Sequence, residues 1–285
     1  MTAPQPTRRC VQGAIRTSYL DWGGNGPPLV LLHGLTTSAE TWTLVARLLA
    51  PHFHIYALDQ RGHGESDKPD MGYDYASLSA DLEAFFAQVG LARAAVGGQS
   101  WGAGVALRFA ARFPARVSRL ILVEGGYFRP RRDAPTTREQ WEQMLAPLEI
   151  YAARASYLRT AAAPLEAVYS QDIEDILMAS VRVNPDGSIS EKLSREHQVQ
   201  ILRAMWEDTQ EGVFRAVSCP TLLLPARSAH PDAAAGNARK ERAVAAALAE
   251  LRNGRVHWVE NSVHDVQLHR PEDVAHAIMA FLTQP

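Results

Sequence analysis

Cysteine is scarce in this 285-residue chain: there are two, Cys10 and Cys219, far apart and in no C-x-x-C pattern. That excludes a disulfide framework, and a chain of this length buries a sizeable core without one. Such usage points to a reducing compartment, so a cytoplasmic location is expected. No apolar run approaches the roughly 20 residues of a membrane span. The opening Met-Thr-Ala-Pro-Gln-Pro-Thr-Arg-Arg has no apolar stretch behind its charges, so no secretory signal is expected. Net charge is also lacking, at a formal −2, which argues against a nucleic-acid partner. Lysine is rare, three residues against 26 arginines. The arginines are interleaved with Asp and Glu along the chain, and biased codon usage explains the bias without a function. No histidines fall in an H-E-x-x-H spacing and no G-x-x-x-x-G-K-[ST] loop occurs, so neither a metal site nor a cofactor is expected.

At about 150 residues per domain the length suggests roughly two domains, although a single α/β domain also reaches this size. No internal repeat is present. Apolar runs of strand length alternate with helical patterns, which predicts an α/β fold with a mostly parallel sheet. Strands are expected at Pro28–Leu32, His54–Leu58, 94–97, 120–123, Thr221–Leu224 and 255–259. Helices are expected over 38–49 with Ser38 as its cap, 78–89, 103–113, 241–251 and 272–282. About 95 residues separate Val123 from Thr221, far more than the roughly 30 of an ordinary crossover. That stretch shows helical patterns at 139–148, 165–181 and 195–206 and no convincing strand. The expected layout is one core, residues 1–125 and 218–285, with a helical cap at 126–217.

Gly98-Gln99-Ser100-Trp101-Gly102 matches G-x-S-x-G where a strand turns into a helix. Its glycines permit the tight turn that presents a serine hydroxyl at the top of a sheet, beside a helix N-terminus. A bare G-x-S-x-G is common, but the strand-turn-helix context makes an ordinary loop serine the weaker reading. A serine hydroxyl needs a base, and His264, in a loop just past the last strand, is the best placed of ten histidines. The others flank strands, lie within them or belong to helices, where packing accounts for them.

With His33-Gly34 after an apolar strand, Asp59-x-Arg61-Gly62-His63-Gly64-x-Ser66 after the next, the serine turn and the late His264, the chain resembles the α/β-hydrolase superfamily over nearly its whole length. The resemblance implies the α/β-hydrolase fold, Ser100 as nucleophile, His264 as base, and backbone N–H groups of Leu35 and Trp101 as oxyanion donors. His33, Gly34, Gly98 and Gly102 belong to the motifs and turns, and His63 and Asp59 are expected to hold turns together. The acid is less plain. The segment after Leu224, where the family most often carries it, lacks a carboxylate until Asp232. A second arrangement, known from haloalkane dehalogenases, places it after the strand that follows the nucleophile helix. Glu124 stands there and is preferred, with Asp232 as the alternative.

A serine nucleophile implies an acyl-enzyme and a small or medium ester-like substrate. A carbon–carbon bond hydrolase or perhydrolase on the same triad, or a ligand-binding relative without catalysis, are the alternatives. The cap offers Trp141, Met144, Leu145, Tyr151, Tyr157, Tyr169, Ile176, Met178 and Trp206, mostly as its own core and in part as a pocket wall. Arg129, Arg131 and Arg132 form a charge run better read as solvated than as an anion site. Nothing in the sequence decides between monomer and homodimer.

Overall fold

The structure is a computed structural model that describes residues 5–133, 136–143 and 150–284. Eight strands form the main sheet: β1 (Thr7–Gln12), β2 (Arg16–Asp21), β3 (Pro28–Leu32), β4 (His54–Leu58), β5 (Ala94–Gln99), β6 (Val117–Val123), β9 (Thr221–Leu224) and β11 (Gly254–Val256). Their order is β1-β2-β4-β3-β5-β6-β9-β11, antiparallel at β1–β2 and β2–β4 and parallel from β4 onward. The missing numbers are two small pairs: the hairpin of β7 (Val181–Val183) with β8 (Ile189–Glu191), and β10 (Ala226–Arg227) with β12 (Val259–Glu260).

The central strands read as unbroken apolar runs because helices cover both faces. Successive residues nevertheless serve different cores. Val30, Leu32, Val96, Leu120, Leu122 and Leu223 pack with α2 (Tyr75–Gln88), α3 (Trp101–Arg112) and α10 (Ala234–Glu250). Leu29, Leu31, Ile121, Val123, Leu222 and Leu224 pack with α1 (Thr43–Leu49), α11 (Val266–His269) and α12 (Pro271–Leu282). The period of two along each strand is what divides them. Asp74 caps α2 by accepting from the N–H groups of Ala76 and Ser77 at 2.9 Å. Ser38 precedes a 3₁₀ turn, Ala39–Trp42, but its hydroxyl meets Ser180 at 3.1 Å instead of capping.

Between β6 and β9 lie α4 (Pro130–Asp133), α5 (Arg138–Gln143), α6 (Arg154–Ala161), α7 (Gln171–Ala179), α8 (Arg195–Glu207) and α9 (Val213–Ala216). The expected helix over 165–181 is divided: a 3₁₀ segment, Ala163–Val168, ends before Ser170, whose hydroxyl caps α7 at Ile173. The β7–β8 hairpin corrects the expectation that this stretch holds no strand. Its strands have three residues each, too short to show a period. Among the described residues no helix is long and apolar enough to cross a membrane.

Leu31 is fully buried in β3, between β4 and β5. Leu31→Ala is expected to lower unfolding free energy by about 2–5 kcal/mol, read as a lower urea midpoint at an unchanged denaturant slope.

Candidate active site

Ser100 sits at the junction of β5 and α3 with φ 52° and ψ −116°, a backbone state that a non-glycine residue holds only when its surroundings impose it. Here they do. The Ser100 N–H donates to the Val123 carbonyl at 2.9 Å. A Cβ on Gly98 would overlap the Gly102 carbonyl, one on Gly102 the His33 carbonyl, and one on Gly125 the Ser100 carbonyl. Close backbone approach on three sides therefore holds the turn. Trp101 opens α3, so its N–H has no acceptor within the helix.

His264 lies in the loop after β12, and its Nε2 is 2.9 Å from the Ser100 hydroxyl. The Gln99 amide donates to the His264 carbonyl at 3.2 Å, tying the loop to the end of β5. Glu124 directly follows β6, also at positive φ, 48°, with only 5% of its side chain exposed. One carboxylate oxygen, Oε1, stands 3.6 Å from His264 Nδ1 and is ion-paired with Lys240. The other, Oε2, accepts from the Ala226 N–H at 2.7 Å and the Tyr127 hydroxyl at 3.2 Å. Burial pushes the Glu124 carboxyl up, but His264 and Lys240 outweigh it and hold it below the usual carboxylate range. For His264, packing around the ring pushes the pKa down, while Glu124 and Asp265 push it up and prevail. Asp232 is not brought to this centre: its side chain is 92% exposed and pairs with His230 at 3.7 Å.

Leu35, Thr36, Ser100, Trp101 and His264 line one hollow. The loop carrying Leu35 is held by two buried histidines. His33 has Nδ1 against the Gly34 carbonyl at 2.7 Å, so that Nε2 accepts from the Gln60 N–H at 3.0 Å. His63 likewise sets Nδ1 against the Arg61 carbonyl at 2.9 Å, and Nε2 accepts from the Thr36 N–H at 3.4 Å. Burial pushes both pKa values down, so both rings stay neutral and serve as struts. Asp59 accepts from the N–H groups of Ala39 at 2.8 Å and Glu65 at 3.0 Å, and from Arg8. Gly34 allows the loop to pass Gln99, whose side-chain oxygen a Cβ would overlap.

Residues 27–157 match a family described as alpha/beta hydrolase fold. The chain is 22% identical to the crystal structure of E-2-(acetamidomethylene)succinate hydrolase, with a TM-score of 0.79 over 98% of this chain and 100% of that one. The chain has the α/β-hydrolase fold. It is 40% identical over 128 residues to N-formylmaleamate deformylase of Pseudomonas putida, a match covering 45% of this chain and 48% of the relative. The solved N-formylmaleamic acid deformylase of Pseudomonas putida S16 shares the fold, with 21% identity and a TM-score of 0.72 over 95% of this chain and 100% of that one. The chain thus spans about half the length, or less, of the curated relatives it matches.

A cavity of about 630 Å³ adjoins Ser100 and His264. Trp141 and Met205 of the inserted segment form part of its wall. Tyr157 and Ile176 instead belong to small cores of the insertion, and Tyr169 is exposed and bonded to Glu174. Met144 and Leu145 lie outside the described residues, as does the end of the helix expected at 139–148. Arg129 pairs with Glu250 and Arg132 with Asp133, and neither lines the cavity. Sequence reasoning missed Tyr127, Arg239 and Lys240. A usable signal for the last was its rarity, one of three lysines in an arginine-rich chain. Among the described residues no group of three or more His, Cys, Asp and Glu could hold a metal ion.

The charges around His264 set a titration test. Its imidazole should titrate above the ordinary histidine value by NMR, and Glu124→Gln, which removes the negative partner and leaves Lys240, should bring that value down. An unmoved titration would remove Glu124 as its partner.

Proposed function

We propose that this chain is a serine hydrolase of small or medium acyl substrates, with Ser100 as nucleophile, His264 as general base and Glu124 as the acid that orients it. The reading rests chiefly on the 2.9 Å contact between His264 Nε2 and the hydroxyl of a serine held on a strained turn, with a buried carboxylate on the far side of the ring. His264 Nε2 takes the hydroxyl proton as Ser100 Oγ adds to the carbonyl carbon. The new oxyanion meets the N–H groups of Trp101 and Leu35. Collapse expels the leaving group, which receives the proton from His264 and leaves an acyl group on Ser100. Water, deprotonated by the same imidazole, then releases the acid and restores the serine. Glu124 stabilises the imidazolium formed in each half and stays ionised, as its depressed pKa allows.

Residues 126–217 are read as the cap over this site, since Trp141 and Met205 contribute to the cavity wall. The similarity to N-formylmaleamate deformylase favours a second leaving group, an amide nitrogen in place of an alkoxide, on the same three residues. Binding without catalysis would leave the strained serine and its base without a purpose.

Ser100→Ala is expected to cut kcat/KM for short-chain aryl esters by about ten-thousandfold or more. Glu124→Gln should cost about a hundredfold to ten-thousandfold, and Asp232→Asn should match the parent. Full activity in Ser100→Ala would end the proposal, and a large loss in Asp232→Asn with none in Glu124→Gln would transfer the acid role.

A further inference from the structure

One face of α10 borders the cavity through Gly236, Arg239, Lys240 and Ala243, residues spaced as a single helical stripe. The charges on the cavity wall do not balance. Lys240 is paired with Glu124, the carboxylate that also faces His264. Arg108, from α3, is buried, paired with Asp208 and laid over the Tyr75 ring at 4.2 Å. Arg239 is the exception. It lines the same cavity, half-buried, with no hydrogen-bond or ion-pair partner among the described residues. Beside it a Cβ on Gly236 would meet none of the described residues within 4 Å, so among them the space in front of this stretch of helix is open.

An arginine half-buried in the wall of a partly open, largely apolar hollow offers an uncompensated charge there and matches a carboxylate in two-point geometry. From this we infer that the cavity takes acyl substrates that carry a second, free carboxylate, and that Arg239 is the residue that binds it. The inference builds on the proposed hydrolase reading and names its substrate class. The reacting carbonyl lies at Ser100, the distal carboxylate lies at Arg239, and the apolar linker lies along Trp141, Phe128 and Met205.

Two measurements separate this inference from the reading on which it rests. The first compares hydrolysis of the monoethyl esters of succinate, glutarate and adipate with that of ethyl butyrate, valerate and hexanoate, which match them in acyl chain length. At least one half-ester should exceed its neutral counterpart in kcat/KM by roughly tenfold to a hundredfold, the value of a charge-assisted contact. Arg239→Gln should collapse that preference and Arg239→Lys should retain part of it. No preference in the parent, or a preference untouched by Arg239→Gln, would overturn the assignment. The second measurement is calorimetric binding of glutarate to the intact protein, which requires no turnover. If neither ester class is hydrolysed but glutarate binds and Arg239→Gln abolishes that binding, the hydrolase reading fails and the anion site stands. If glutarate fails to bind and no half-ester is preferred, the anion site fails.

Discussion

The buried carboxylate of Glu124 is the constraint around which this end of the molecule is organised. An unpaired carboxylate removed from water costs several kcal/mol and would otherwise be protonated. This one remains ionised because four separate parts of the chain converge on it. The Ala226 N–H comes from the turn after β9, Tyr127 from the start of the insertion, Lys240 from α10 and His264 from the loop after β12. Each partner stabilises the charge, and the charge in turn fixes where each of those segments lies. The positive φ at Glu124 belongs to the same account: strain of about 1–3 kcal/mol persists only where neighbouring contacts over-determine the backbone. A second such residue, Ser100, is bonded through its N–H to the carbonyl of Val123, one residue before Glu124. The two strained residues therefore brace each other across adjacent parallel strands.

The division of labour among the histidines follows from burial in the same way. His33 and His63 are enclosed, with ring centroids 4.8 Å apart in a tilted contact, and bonded through both ring nitrogens, and their depressed pKa values keep them neutral. A ring with both nitrogens committed holds a loop in place and has no free valence for a reacting proton. His264 has Nε2 directed at a hydroxyl that itself borders the cavity, and a carboxylate that favours its charged form. The contrast lies in surroundings, since all three are the same side chain on loops at one end of one sheet.

Much of this was legible in the sequence, for identifiable reasons. The β3 and β9 runs are apolar along their whole length, because helices cover both faces, and their bounds coincide with the expected ones. The serine turn was legible because its glycines answer to backbone crowding, a requirement that no other residue type meets. What escaped was what depends on distance in space or on very short segments. Strand β1, Thr-Arg-Arg-Cys-Val-Gln, is exposed along nearly its whole length and carries no apolar run. The β7–β8 hairpin turns through Asn184 and Gly187 over strands of three residues, below the length at which alternation shows. The choice between Glu124 and Asp232 rested on loop reach, which sequence does not encode; the structure leaves Asp232 in solvent because it sits in a short 3₁₀ turn, Pro231–Ala233, ahead of α10. Lys240 and Arg239 escaped because the helix was expected to begin at 241, just past both of them, whereas α10 begins at Ala234.

Under the proposed function, that early start of α10 ties catalysis to recognition. Consecutive residues of a helix project about 100° apart, so neighbours at 239 and 240 line one cavity in different directions while sharing one rigid backbone. Lys240 is drawn to Glu124, and that ion pair fixes the rotation of α10 about its own axis. Once the rotation is fixed, Arg239 lies on the cavity wall with no partner for its charge among the described residues. The carboxylate that faces His264 therefore also bears, through Lys240, on where Arg239 lies in the cavity wall, the position at which the proposed function needs a positive charge. A change at Lys240 would disturb both the charge on the acid and the place of Arg239, whereas a change at Arg239 leaves the Lys240–Glu124 pair intact. Two adjacent cations, one paired with Glu124 and one without a partner among the described residues, would under the proposed function let a single helix serve the reacting centre and the far end of the ligand together.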